Sequence, residues 1–113
     1  MHELSVVMSI VDIALEQAAK EGAAIIDEIE LDIGCLTTIE MNSFEFAWKQ
    51  GVKQTILERT LKKINRIQGK GICSDCESSF IMEHLFDGCP LCGGHLIGIA
   101  AGKELRVKSL VVS

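Results

Sequence analysis

The sequence predicts an α+β fold: two helices packed on a small, mostly antiparallel three-stranded sheet, interrupted by an inserted domain of different character. Three observations lead there. Apolar residues recur at three- and four-residue spacing around residues 4–20 and 42–53. Strand-like runs stand at 25–33, 60–67 and 103–112. Residues 69–95 hold four of the five cysteines, the only proline and five of the ten glycines, with too few apolar side chains for a core of their own. Such a segment needs a cross-link to fold.

The bulk properties narrow the class further. With 48% apolar and 24% charged residues, disorder over the whole 113-residue length is excluded. The aromatics are only Phe44, Phe46, Trp48, Phe80 and Phe86, so the core rests on Ile, Val and Leu. A net charge of −5 does not describe a predominantly basic nucleic-acid surface. Apolar windows such as Leu96–Ala101 are too short to cross a bilayer, so no membrane association is expected. The opening Met1-His2-Glu3 has no basic stretch or small-residue cleavage site. The expected location is therefore cytoplasmic, where thiols stay reduced and clustered cysteines read as metal ligands rather than disulfides.

Each element has its own signal. In residues 4–20, Leu4, Val7, Met8, Val11, Ala14, Leu15 and Ala18 form one helical stripe, and Gly22 is the expected stop. In 25–33, Ile29, Leu31 and Ile33 alternate with Glu28, Glu30 and Asp32, the pattern of a strand with one wet face. Phe44, Ala47, Trp48 and Val52 mark a second helix, with Asn42 or Ser43 as its expected cap and Gly51 as a weak point. Residues 60–67 and 103–112 supply the remaining strands. The domain division that follows is discontinuous: residues 1–69 plus 98–113 form the α+β domain, and residues 70–97 form the inserted one.

Within the insertion, Cys73-Ser-Asp-Cys76 and Cys89-Pro-Leu-Cys92 are two CxxC pairs twelve residues apart. Each pair presents two thiolates from one tight turn, and two such turns complete a tetrahedron around Zn2+. Phe80-Ile81-Met82 between them reads as part of a hairpin, giving a zinc-ribbon-like domain. Four thiolates leave the metal no open position, so its expected role is structural. A redox CxxC is the rival, and it fails because there are two motifs and neither opens a helix after a βαβ strand. Cys35 is expected to be a small, partly buried hydrophobe, and His84 and His95 surface or hydrogen-bonding residues.

The amino terminus carries a second candidate. A lone terminal histidine is usually without a role. Here, however, the Met1 α-amine, the His2 amide nitrogen and the His2 imidazole can close rings around one ion, with the Glu3 amide as a fourth nitrogen. Such a donor set suits square-planar Ni2+ or Cu2+ rather than tetrahedral zinc.

Met1-His2-Glu3-Leu4-Ser5, the two CxxC pairs and Gly102-Lys103-Glu104-Leu105-Arg106-Val107-Lys108-Ser109, in that order and at those distances, resemble the HypA family of hydrogenase nickel-incorporation proteins. The resemblance spans nearly the whole length. It implies a metallochaperone, not an enzyme, with Ni2+ as cargo at His2 and main-chain nitrogens of Met1 and Glu3. It implies structural Zn2+ on Cys73, Cys76, Cys89 and Cys92. It implies delivery to the large subunit of a [NiFe]-hydrogenase with a HypB-type GTPase as partner, and a homodimer is compatible with it. The residues themselves agree on chemistry, with no nucleophile–base pair at recognisable spacing, no phosphate loop and no HExxH.

The alternative is a zinc-ribbon module that binds nucleic acid or protein through the basic run Arg59, Lys62, Lys63, Arg66 and Lys70. That run lacks interleaved aromatics for base stacking and reads better as a solvated strand face.

Overall fold

The computed structural model describes residues 2–113. The elements run α1 (Glu3–Lys20), β1 (Ile26–Gly34), α2 (Met41–Gly51), β2 (Leu61–Ile67), β3 (Gly69–Cys73), β4 (Ser79–Met82), β5 (Ile97–Ala101) and β6 (Leu105–Val112). Two sheets form, with strand orders β2-β1-β6 and β4-β3-β5. Every helix and strand expected from the sequence is present within a few residues of its expected bounds. The chain divides into two units, residues 1–31, 38–64 and 106–113, and residues 32–37 and 65–105.

In the first unit, Val7, Ile10, Val11, Ala14 and Ala18 of α1 are buried, together with Phe44, Ala47 and Trp48 of α2 and Val52 after it. Ile26, Ile29 and Leu31 of β1 and Leu57 join them. The α1 stripe is turned slightly from the expected one. Ile10 belongs to it, whereas Leu4 and Met8 are exposed. The helix stops as Gly22 suggested. Gly22 adopts φ +64°, its N–H donates to the Ala19 carbonyl, and the Ala23 N–H donates to the Ala18 carbonyl. That pair of bonds closes the last turn and satisfies two orphan carbonyls. The cap of α2 differs from expectation. It is Glu40, whose carboxylate accepts the Asn42 and Ser43 amide N–H groups at 2.8 and 3.1 Å. Asn42 and Ser43 lie inside the helix instead.

The polar face of β1 is not wet. Asp32 is buried and accepts a hydrogen bond from the Asn65 side-chain amide at 3.0 Å. Glu30 is half-buried and meets Lys108 and Ser109 of β6. The expected solvated face is therefore covered by polar side chains of flanking strands, which compensate its charges. β6 runs antiparallel to β1, since Ala24 and Ile25 donate to Ser113 and Ser113 donates back to Ile25. β2 runs parallel to it: Asn65 bonds Asp32, Arg66 Nε donates to the Ile33 carbonyl, and Cys35 N–H donates to the Ile67 carbonyl, all advancing in step. The sheet is mixed because α2 lies between β1 and β2, and a helical crossover returns the chain in the same direction.

In the second unit, β3 pairs antiparallel with both neighbours, matching Gly71 with Phe80 of β4 and Ile72 with Gly98 of β5. Phe80-Ile81-Met82 falls in β4, as the expected hairpin requires. Where β1 ends, two backbones pass without side chains between them. A Cβ on Gly34 would run into the carbonyl of Gly102, which itself has φ +113°. Gly34→Ala is therefore expected to destabilise the protein by about 1–3 kcal/mol, the usual cost of overpacking a site that cannot move freely. A lowered urea midpoint at unchanged slope would show it.

Cys35 departs from expectation. It sits in the turn just after β1 and is exposed, while its neighbours Gly34 and Leu36 are buried. The turn redirects its side chain away from the face that β1 buries. Among the described residues, no helix is long and apolar enough to cross a membrane.

Candidate metal centres

The four cysteines separated in sequence converge. The Sγ atoms of Cys73, Cys76, Cys89 and Cys92 all lie within 4.8 Å of one another. Cys73–Cys92 and Cys76–Cys89 are 3.5 and 3.6 Å apart. Zinc–sulfur bonds of about 2.3 Å in a tetrahedron place sulfurs about 3.8 Å apart, so this spacing fits the ion.

Two loops of matching geometry achieve it. The Glu77 N–H donates to the Cys73 carbonyl at 2.8 Å, and the Gly93 N–H to the Cys89 carbonyl at 2.9 Å. In return, Cys73 N–H donates to Ser78 and Cys89 N–H to Gly94. The fourth residue after each leading cysteine is left-handed, with φ +63° at Glu77 and +75° at Gly93. Behind the second cysteine of each pair stands a donor or hydroxyl partner, Ser78 Oγ at 3.4 Å from Cys76 and Gly94 N–H at 3.4 Å from Cys92. Such contacts to sulfur orient the ligands and spread their charge.

The electrostatics favour a cation. Ser78, through its hydroxyl and its backbone, leads the groups that lower the Cys76 thiol to about 6. At Cys92 the Gly94 N–H pulls the thiol down, yet Cys73, Cys76, Cys89 and desolvation outweigh it and the thiol is pushed up to about 12. Like charges this close cannot all ionise unaided. A dication in the centre removes the conflict, and the four-cysteine site fits structural zinc. His84 lies 3.6 Å from the Asp87 carboxylate, and among the described residues neither it nor His95 joins the cluster.

His2 and Glu3, expected from the sequence to belong to a second site, lie at the start of α1. Glu3 is its first residue and His2 its N-cap. The His2 carbonyl accepts the Val6 N–H at 3.0 Å and the Ser5 hydroxyl at 2.9 Å. His2 is exposed, and its Nε2 lies 3.0 Å from Thr38 Oγ1. Glu3 is buried, and its Oε2 accepts the Glu40 N–H at 3.0 Å. The Glu40 N–H and then the Glu3 N–H hold the Glu3 carboxyl below the usual carboxylate range. So the segment 38–40 brackets residues 2 and 3. No signal in the sequence points to Thr38 or Glu40, because their partners lie 36 and 37 positions away. Met1, the third expected nickel-binding residue, lies outside the described residues. Beside Glu3, an open groove of about 450 Å³ is lined by Leu4, Phe46, Ala47 and Gln50 among others.

The basic run is partly committed to the fold. Lys62 pairs with Glu45 at 2.7 Å and lies over the Trp48 ring, and Arg66 is bonded to the Ile33 carbonyl. Engaged cations of this kind are not available to phosphates.

Four sulfurs drawn together from two turns define a metal-binding protein. The family described as "Hydrogenase/urease nickel incorporation, metallochaperone, hypA" matches residues 1–112, and the chain belongs to it. The hydrogenase maturation factor HypA of Parabacteroides distasonis is 47% identical over 112 residues, covering 99% of this chain and 97% of that one. That of Geotalea daltonii is 37% identical over 112 residues, with 99% of each covered. The solution structure of the Ni metallochaperone HypA from Helicobacter pylori superposes with a TM-score of 0.71 at 26% identity, covering 99% of this chain and 97% of that one.

Proposed function

We propose that this chain carries Ni2+ at its N-terminus and delivers it to the large subunit of a [NiFe]-hydrogenase, in concert with a HypB-type GTPase and in the cytoplasm. The observation that carries the reading is the bracketing of His2 and Glu3 by Thr38 and Glu40 at the start of α1. The nickel set is the Met1 α-amine, the His2 amide and imidazole nitrogens and the Glu3 amide. Two of those nitrogens are amides that must lose their protons. The positive end of α1 lowers that cost, since it stabilises anions within the first turn. Ni2+ with two amide anions, an amine and an imidazole carries no net charge, so a cation can sit at the positive end of a helix without repulsion.

Zn2+ belongs to Cys73, Cys76, Cys89 and Cys92, where it folds the second unit. The domain roles follow: residues 1–69 plus 98–113 hold nickel and residues 70–97 hold zinc. Four thiolate ligands need a reducing compartment, which supports the cytoplasm. The groove beside Glu3, with Phe46 67% exposed at its edge, supports a partner docking within reach of the cargo. Metal transfer then proceeds by exchange of one ligand at a time, and no catalysis is required of the chain.

The test is a nickel titration of the untagged protein against a form extended by one residue before Met1. Extension turns the α-amine into an amide and removes a donor. The expected result is loss of the specific nickel site with zinc content unchanged. Equal nickel affinity in the two forms would overturn the N-terminal assignment.

A further inference from the structure

We propose that Thr38 is a positioning residue for nickel: its hydroxyl accepts the Nε2–H of His2 and so commits the ring to the tautomer whose Nδ1 keeps its lone pair. The inference rests on the reading that His2 holds the cargo. A neutral imidazole carries its proton on one nitrogen only, and the hydrogen bond made by one nitrogen decides what the other can do. Nδ1 closes a six-membered ring with the amide nitrogen of its own residue. Nε2 lies on the far side of the imidazole and cannot. A ring protonated at Nδ1 must therefore move that proton before it can chelate.

The structure places a hydroxyl, a group able to accept, at the nitrogen where this choice is made. Thr38 Oγ1 is 3.0 Å from His2 Nε2. The main chain of His2 is fixed independently, because Val6 N–H and Ser5 Oγ both hold its carbonyl. With the carbonyl of His2 and the far edge of its ring both held, rotation about the side chain is restricted. Metal binding makes Nε2–H more acidic, so its bond to Thr38 strengthens in the loaded form. Partners of this kind typically contribute 10- to 100-fold to metal affinity. Thr38 is exposed, and water replaces part of what it supplies, so the low end of that range is expected.

The experiment compares Thr38→Val, Thr38→Ser and His2→Ala in the untagged chain, by nickel calorimetry and by 15N NMR of the imidazole. Thr38→Val keeps the branched shape and removes the hydroxyl. It is expected to weaken nickel binding about tenfold, to lower the fraction of Nε2–H tautomer in the nickel-free protein, and to leave zinc content and thermal unfolding as in the parent. Thr38→Ser restores the acceptor and is expected to restore both readouts. Parent-like nickel affinity in Thr38→Val, or no rescue by Thr38→Ser, overturns the role of Thr38. Parent-like nickel binding in His2→Ala overturns instead the underlying assignment of the site, so the two failures are distinguishable.

Discussion

Cys92→Ala is expected to abolish zinc retention, taking the metal content after dialysis from one ion per chain to none. It removes a quarter of a ligand set whose sulfurs already lie within 4.8 Å of one another. Structural zinc sites of this type contribute about 10–16 kcal/mol of apparent binding energy in small domains, and that energy is folding energy. The second unit has little else. Its buried apolar residues include Leu36, Met82 and Cys73, against the long aliphatic and aromatic core of the first unit. Hydrogen exchange in β3, β4 and β5 should therefore become fast. Helical circular dichroism should persist, because α1 and α2 both belong to the first unit. A cluster held together as neutral thiols predicts the opposite. Removing Cys92, whose thiol the neighbours push up to about 12, would then relieve crowding and leave the unit folded. Zinc content unchanged in the variant would refute the four-thiolate site.

His2→Ala is expected to remove specific nickel binding while zinc content and helicity stay as in the parent. The side chain makes no capping hydrogen bond to α1, and it is exposed, so the fold does not depend on it. The same site should release nickel on mild acidification, before zinc leaves. Ordinary imidazoles and α-amines take up protons between about pH 8 and 6, and each proton gained removes a lone pair that nickel needs. The amide nitrogens must also be kept deprotonated, so affinity falls by more than one proton's worth as pH drops. Zinc on four thiolates is expected to hold to lower pH. Simultaneous loss of both metals over that range would indicate one shared site.

The parts legible in the sequence were those written at short range. Phe44, Ala47, Trp48 and Val52 announce α2 because three- and four-residue spacing maps directly onto one helix face. The CxxC pairs announce a metal site because each turn is complete within a few residues. What escaped depends on partners far along the chain. Asp32 alternates with apolar neighbours as a solvent-facing residue would, yet it is buried and bonded to Asn65, 33 positions away. Asn42 and Ser43 are stronger capping residues than glutamate in general. Glu40 takes the position because its backbone N–H is at the same time bonded to Glu3. Thr38 is an ordinary loop threonine until the fold brings His2 to it. Cys35 follows an apolar strand and would be buried had the chain continued straight.

The strand order β2-β1-β6 has a bearing on how the protein is made. β1 is central, yet the neighbour on one of its sides is supplied by residues 105–112, nearly eighty positions later in synthesis. Both halves of the thiol cluster are translated before that strand. A nascent chain thus acquires its cysteine ligands while one edge of β1 still shows unpaired backbone N–H and C=O groups. Contacts that wait for distant segments form slowly, and an unpaired strand edge is prone to pair with another chain meanwhile. Shortage of zinc during synthesis would leave two incomplete sheets on one chain at once, so aggregation yield should depend on zinc supply at the moment of translation more than on zinc added afterwards.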